Sequence, residues 1–81
     1  MEYHRILDAS ATLSPWPLLN CKRELTGMKG GEVLKVIIQL EDEASRKVIE
    51  IFCKQTGHEF LGHTNEEGFQ VCYVKRKMPE S

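Results

Sequence analysis

The sequence is poor in cysteine. Its 81 residues contain only three, Cys21, Cys53 and Cys72, an odd number with no CxxC spacing. A small secreted domain held together by disulfides needs a larger and even set. We therefore expect reduced thiols and a cytoplasmic protein.

An excess of one charge is also lacking. The 11 Lys and Arg residues nearly balance 12 Asp and Glu residues, which gives a formal net charge of −1. Domains that bind nucleic acids or membrane surfaces gain much of their affinity from a strong basic excess. The composition therefore argues against both kinds of partner.

Long apolar runs are absent as well. No stretch approaches the ~20 apolar residues of a membrane span, and the first residues lack the pattern of a secretory signal. A chain this short buries only about 60% of the surface that its unfolded form exposes, which leaves no room for a large cofactor cavity. We expect a single domain over residues 1–81, ordered from about residue 3 to residue 77 and disordered over residues 78–81, with no cofactor.

The first half of the chain predicts a strand followed by a helix. Residues 3–8 suit a short strand. Ser14-Pro15 suits a helix start, because a serine hydroxyl can cap free amides and proline fits the first helical position. An apolar stripe at spacings of three and four follows, formed by Leu18, Cys21, Leu25 and Met28.

The second half predicts a strand, a helix and two further strands, over residues 32–40, 43–56, 59–64 and 69–75. The acidic run Glu41-Asp42-Glu43 suits the positive N-terminus of the helix, and Gly57 suits its end. Residues 65–68 carry a hairpin-turn signal. The helix residues expected to face the core are Ala44, Val48, Ile51, Phe52 and Cys53.

These elements predict the order β-α-β-α-β-β. Right-handed crossovers place both helices on one face of the sheet. The expected fold is therefore a two-layer α/β sandwich, with a four-stranded mixed sheet and two helices on one face.

The helix start carries the most informative motif. Ser14-Pro15-Trp16-Pro17-Leu18-Leu19 follows Leu7-Asp8 and a loop of small residues. Together with residues 28–34 and 52–59, it makes the chain resemble the TusA/SirA-like family of small sulfur-carrier proteins, from about residue 6 to residue 77. The hallmark of that family is Cys-Pro-x-Pro at the beginning of the first helix.

Ser14 occupies the position where the resemblance implies the persulfide-forming cysteine. A helix N-terminus lowers the pKa of a thiol and stabilises its anion, so a cysteine suits that place. A hydroxyl cannot form a persulfide, and it needs an adjacent base to become a nucleophile. The sequence leaves two explanations open: a natural relative that has lost the thiol, or a protein altered at this residue.

The resemblance implies a role in a sulfur relay. A cysteine desulfurase and downstream relay proteins would be the partners, with tRNA thiolation as one outlet. Contact candidates are Trp16, Lys22 and Arg23, because basic residues near the helix start could attract a complementary partner. We expect a monomer that is inactive in sulfur transfer as written. A non-catalytic interaction or regulatory module is the alternative, and an RNA-binding domain is a weaker one.

Other chemistry has less support in the sequence. Cys21 lies about 10 Å further along the helix than Ser14, and all three cysteines fall in segments that read as core. The histidines at positions 4, 58 and 63 have no ligand spacing with a cysteine, so no metal site is expected. Trp16 is either a core or lid residue or an exposed contact. The basic run over residues 75–77 serves solubility or RNA contact.

Overall fold

The structure, a computed structural model, describes residues 1–79. Within them the elements are β1 (Arg5–Asp8), α1 (Trp16–Thr26), β2 (Val33–Gln39), α2 (Glu43–Thr56), β3 (Glu59–Glu66) and β4 (Phe69–Lys75). The predicted α/β fold and its element order are confirmed. Among these residues, no helix is long and apolar enough to cross a membrane.

The strands form one mixed sheet in the order β1-β2-β4-β3. β1 runs parallel to β2, and β4 lies antiparallel to both β2 and β3. Both helices cover the same face, where Leu34, Val36 and Ile38 of β2 are fully buried in the main core. The strict alternation of β2 explains this, because every second side chain points to the helices.

The opposite face of the sheet carries a smaller apolar cluster around Val33, Val71 and Tyr73. Lys35 crosses this face, with its ammonium 3.4 Å from the Glu66 carboxylate and 5.1 Å from the centre of the Tyr3 ring. Polar and aromatic side chains therefore complete the face that has no helix.

The start of α1 differs from the prediction. The helix begins at Trp16, and Pro15 occupies the N-cap position with no side-chain capping bond. Pro17, not Pro15, lies within the first turn. The Trp16 amide donates to the Leu13 carbonyl, which closes a turn ahead of the helix. Ser14 therefore precedes the helix and does not cap it.

The buried face of α2 also differs from the prediction. Ser45, Ile49 and Cys53 are buried, whereas Ala44 and Ile51 are exposed. The reason is a hydrogen bond of 2.6 Å from the Ser45 hydroxyl to the Asp42 carboxylate, which satisfies a polar side chain inside the protein. Of the other residues expected to face inward, Val48 and Phe52 are half-buried.

The β3–β4 hairpin is tighter than predicted. Asn65 and Glu66 belong to β3, which leaves Glu67 and Gly68 as a two-residue turn with positive φ angles of 51° and 84°. Two consecutive positive φ angles are typical of a type I′ turn, whose twist matches the paired strands. The ends of β3 and β4 are therefore held in register close to the end of β2.

The C-terminal segment packs against the turn that precedes β2. A side chain at Gly30 would lie 2.6 Å from Pro79 Cδ and 3.1 Å from the Lys77 carbonyl oxygen, so only glycine fits there. Residues 78–79 thus contact the fold, and the disorder expected over residues 78–81 stays a prediction. Residues 80–81 lie outside the described part of the chain.

Candidate functional site

Ser14 lies at one edge of the sheet, in the loop between β1 and α1. Because β1 and β2 are parallel, the loops that follow them emerge at the same edge. The β3–β4 turn lies there too, since Gln39 pairs with Phe69. A bond of 3.0 Å from the Gln39 side-chain amide to the Ser10 carbonyl joins the first loop to β2. We call residues 8–16, 40–43 and 66–69 the site edge.

Asp42 connects the Ser14 loop to the second helix. One carboxylate oxygen accepts hydrogen bonds from the Ser14 amide at 3.2 Å and from the Ser45 hydroxyl at 2.6 Å. The other accepts from the Ser45 amide at 3.1 Å, which is the N-cap bond of α2. Within the acidic run expected at this helix start, Asp42 is therefore the residue that caps α2. Its second role, holding the backbone of Ser14, was not predicted.

The Ser14 side chain is exposed, and its hydroxyl has no hydrogen-bond partner among residues 1–79. The neighbouring carboxylates are engaged elsewhere. Asp42 binds the Ser14 amide, and Asp8 accepts bonds of 2.6 Å and 3.0 Å from the hydroxyl and amide of Ser10, which lower the pKa of Asp8. His4 lies at the other end of β1, where it accepts a bond from the Val33 amide. No general base therefore activates this hydroxyl within the described residues.

The helix start behind Ser14 offers few amide donors. Pro15 and Pro17 have no N–H, and the amides of Trp16 and Leu19 are bonded to the carbonyls of Leu13 and Pro15. Among residues 1–79, the Leu18 amide has no such partner. The helix dipole therefore favours an anion near this helix start, where one N–H group has no backbone partner among residues 1–79.

Exposed apolar side chains lie along the site edge. Trp16 is 57% exposed, and Leu13, Leu19, Leu40 and Phe69 are also exposed at or beside the site edge. Trp16 and Leu19 lie three residues apart in α1, so they share a face of the helix. Pro17 of the same motif is buried and anchors the helix start to the core. The exposure of Trp16 excludes a core position, and its role as a partner contact stays a prediction.

Lys22 and Arg23 lie away from the Ser14 loop. They are six and seven residues beyond Trp16, which corresponds to about 10 Å along the helix axis. The ammonium of Lys22 lies 5.3 Å from the centre of the Phe52 ring of α2, and Arg23 is exposed in the last turn of α1. The structure thus groups Ser14, Pro15 and Trp16 but separates the two basic residues from them. Their role as partner contacts stays a prediction.

The three cysteines are fully buried in the main core, as predicted. Burial raises the pKa of Cys21 to about 12, of Cys53 to about 11 and of Cys72 to about 12. These thiols are protonated at neutral pH and have no access to solvent, so they are inert. None of them can take over the chemistry of a thiol at position 14.

The basic run after β4 has a structural use at the opposite edge of the sheet. The Arg76 guanidinium donates to the carbonyls of Leu25, at 2.6 Å, and Met28. The Lys77 ammonium donates to the Thr56 carbonyl at 3.0 Å. Cations at helix C-termini satisfy free carbonyls and oppose the helix dipole. These two residues therefore close the ends of α1 and α2.

A cleft of about 350 Å³ lies at this opposite edge, lined by Gly57, Glu59 and residues 75–78. His58 lies beside it and accepts a bond of 3.0 Å from the Lys77 amide. Among residues 1–79, no group of three or more His, Cys, Asp and Glu side chains is placed to hold a metal ion. The cleft is far from Ser14, at the other end of the strands.

Comparison with known structures identifies the class of the fold. A crystal structure of a SirA-like protein from Desulfitobacterium hafniense superposes with a TM-score of 0.78, covering 91% of this chain and 99% of that one at 17% sequence identity. The molecule is thus a small α/β domain of the SirA-like fold, with its motif loop at a helix start. A family model, Sulfurtransferase TusA, matches residues 5–76. The chain belongs to the TusA family.

Curated relatives support this assignment. The sulfur carrier protein TusA of Allochromatium vinosum is 37% identical over 76 residues, which cover 94% of this chain and 96% of that protein. A putative sulfur carrier protein of Bacillus subtilis, YrkF, is 38% identical over 72 residues, covering 89% of this chain. The chain spans only 37% of the length of that Bacillus protein.

Proposed function

We propose that this chain is a sulfur-relay domain that binds relay proteins through its site edge but cannot carry sulfur at position 14. One observation carries the proposal. The motif loop is exposed beside a helix start and fixed by Asp42, yet its side chain is a hydroxyl while all three thiols are buried. Binding and sulfur loading are therefore separated in this chain.

The chemistry explains why loading needs a thiol. In a carrier with cysteine at position 14, the thiolate would attack the outer sulfur of a persulfide on a cysteine desulfurase. The S–S bond of the donor breaks, the enzyme thiolate leaves, and the carrier becomes the persulfide. The helix N-terminus and the free Leu18 amide would stabilise the anion before and after transfer. The Ser14 hydroxyl is too weakly acidic to enter this exchange.

The test compares the chain with its Ser14→Cys variant. Each is incubated with a purified cysteine desulfurase and L-cysteine, and the intact mass is measured before and after reduction. We expect the variant to gain one sulfur atom that reduction removes, and the original chain to gain none although it binds the enzyme. Ser10→Cys, in the same loop but away from the helix start, is the matched control and should load poorly.

The proposal fails if neither chain binds the desulfurase and Ser14→Cys gains no sulfur. Loading of Ser10→Cys as fast as Ser14→Cys would show that any exposed thiol suffices.

The finer features also belong to the proposal: a cytoplasmic location, a monomeric state, and a pathway such as tRNA thiolation as the final outlet.

A non-catalytic regulatory module is the second candidate. The observation in its favour is the combination of an exposed Trp16 with a hydroxyl that no base activates. Such a module would compete with an active carrier for the same partner. Adding the original chain to the Ser14→Cys loading reaction should then slow sulfur uptake, whereas a Trp16→Asp variant should not. RNA binding is disfavoured, since Arg76 and Lys77 are engaged with helix carbonyls.

A further inference from the structure

Charge is divided between the two edges of the sheet. The site edge contains six carboxylates and no lysine, arginine or histidine, the carboxylates being those of Asp8, Glu41, Asp42, Glu43, Glu66 and Glu67. They come from three separate segments of the chain that only the fold brings to one edge. At the opposite edge lie Lys29 and the basic run over residues 75–77, together with the carboxylates of Glu32 and Glu59. The near-neutral net charge conceals this polarity.

Contacts within the protein do not neutralise the site edge. Lys35 reaches Glu66 at 3.4 Å, and Lys47 reaches Glu43 at 4.0 Å in an exposed pair. Glu41 and Glu67 are exposed and form no ion pair within residues 1–79. The N-termini of the two helices supply only about half a positive charge each. A net negative charge therefore remains along the site edge.

Exposed apolar side chains lie along the same edge as these carboxylates, which we call the acidic rim. Leu13, Trp16, Leu40 and Phe69 are all exposed on the site edge. An apolar centre with a charged rim is the usual arrangement of a protein–protein interface, and tryptophan is enriched among the residues that contribute most to binding. Nucleic acids and anionic membranes carry the same sign of charge as this rim, so electrostatic repulsion excludes them here.

We propose that the site edge docks onto a protein surface on which lysines and arginines surround an apolar pocket that receives Trp16. This inference rests on the proposed function, because the partner is taken to be a sulfur-relay protein. It reverses the sign of the expectation based on Lys22 and Arg23. Attraction between the acidic rim and the basic partner accelerates association, and contact of Trp16 with the pocket slows dissociation.

The test uses two charge reversals that change the net charge equally. Glu41→Lys lies on the site edge and Glu59→Lys lies at the opposite edge, and both glutamates are exposed without an ion pair among residues 1–79. Association and dissociation rates with a purified cysteine desulfurase are measured by surface plasmon resonance at low and high salt. We expect Glu41→Lys to slow association about 3- to 10-fold at low salt, with the difference closing at high salt. Glu59→Lys should stay within about twofold of the original chain.

Other outcomes separate this inference from the proposed function. Equal slowing by both reversals would overturn the localised rim. Binding that Trp16→Asp abolishes but Glu41→Lys leaves unchanged would uphold docking and overturn the basic partner. If the desulfurase does not bind and Ser14→Cys gains no sulfur, the proposed function fails, and the rim is tested with an oligolysine peptide. Trp16 is the sole tryptophan, so its emission reports on the site edge.

In that second arm, Trp16 emission should respond to the peptide in the original chain and in Glu59→Lys, and the response should weaken several-fold in Glu41→Lys. Chemical shifts of the backbone amides locate the peptide independently. Shifts confined to residues 8–16, 40–43 and 66–69 support the acidic rim. Absent shifts, or shifts spread over both edges, overturn it. Thermal unfolding of each variant confirms that the fold is kept.

Discussion

The two edges of the sheet use their polar groups in opposite ways. At the edge opposite Ser14, the charged side chains of Arg76 and Lys77 donate hydrogen bonds to the carbonyls at the ends of α1 and α2. At the site edge, Asp42 is the buried anchor, while Glu41 and Glu67 have no ion pair among residues 1–79 and Trp16 is exposed. One edge therefore stabilises the fold, and the other is left available for a partner.

The interior and the site edge also differ in their capacity for sulfur chemistry. Burial raises the pKa of all three interior thiols far above neutrality. The site edge has the dipole of the helix start but no thiol. A reactive sulfur needs both exposure and anion stabilisation, and no cysteine of this chain has them together.

The largest expected effect is on thiol reactivity. In native buffer the original chain should react with an aromatic disulfide reagent at least about 100-fold more slowly than Ser14→Cys, because buried thiols react only through openings that cost several kcal/mol. Ser14→Cys should release one reagent equivalent per chain, measured by absorbance. In guanidinium the original chain should release three, one for each cysteine. Fast native reaction of the original chain would contradict the burial of its thiols.

Removing Arg76 should damage the fold without affecting the site. Arg76→Ala loses charged hydrogen bonds to the end of α1, so we expect the free energy of unfolding to fall by about 2–3 kcal/mol in urea titrations. Lys75→Ala is the matched control. Its ammonium has no ion pair or hydrogen bond among residues 1–79, so the loss should stay under about 0.5 kcal/mol.

Desulfurase binding of Arg76→Ala, measured below its unfolding transition, tests whether the opposite edge contacts the partner. Affinity within about twofold of the original chain is expected, since Arg76 lies at the far edge. A loss of binding as large as that of Trp16→Asp would mean that the opposite edge also contacts the partner.

Removing the Asp42 carboxylate should affect both the fold and the site loop. Asp42→Ala loses the N-cap of α2, which costs about 1–2 kcal/mol of stability. The Ser14 amide also loses its acceptor, so its hydrogen exchange should accelerate in NMR measurements. Asp8→Ala is the control, because the Asp8 carboxylate binds only Ser10 among the described residues. If stability falls but hydrogen exchange of the Ser14 amide is unchanged, Asp42 caps α2 without holding the Ser14 loop.

The fold was predictable because local patterns and tertiary contacts agree. The alternation of Leu34, Val36 and Ile38 indicated β2, and Gly57 indicated the end of α2. The motif placed Ser14 beside a helix start. Where the prediction for α2 was wrong, a local capping interaction overrides apolar periodicity: the Asp42 carboxylate accepts a hydrogen bond from the Ser45 hydroxyl, so this polar side chain is buried.

The site was less predictable because its parts are far apart in the chain. Ser14 and Asp42 are 28 residues apart, and the only local signal for Asp42 was its place before the helix with a serine three residues later. The acidic rim is assembled from three segments whose proximity follows from the strand order β1-β2-β4-β3. The formal net charge of −1 does not indicate that this edge is acidic.

The smallest expected effect concerns His58 at the opposite edge. Burial, followed by the charges of Lys77 and Arg76, lowers the pKa of His58 in the folded protein, and its Nδ1 accepts the Lys77 amide. The Phe52 ring packs beside it at 5.5 Å. The unfolded chain therefore takes up a proton more readily, so stability is fully present above about pH 6.5 and declines as pH falls through that value.

His58→Asn removes this titration while keeping an oxygen that can accept the Lys77 amide. We expect the original chain to lose a small part of its stability between pH 7 and pH 5 through this residue, and His58→Asn to show a flatter pH profile in urea titrations. His63→Asn, which changes an exposed histidine of β3, should keep the original profile. If His63→Asn shows the flatter profile instead, His63 of β3 causes the loss of stability in acid. Neutral His58 would then make no contribution to the stability of the opposite edge.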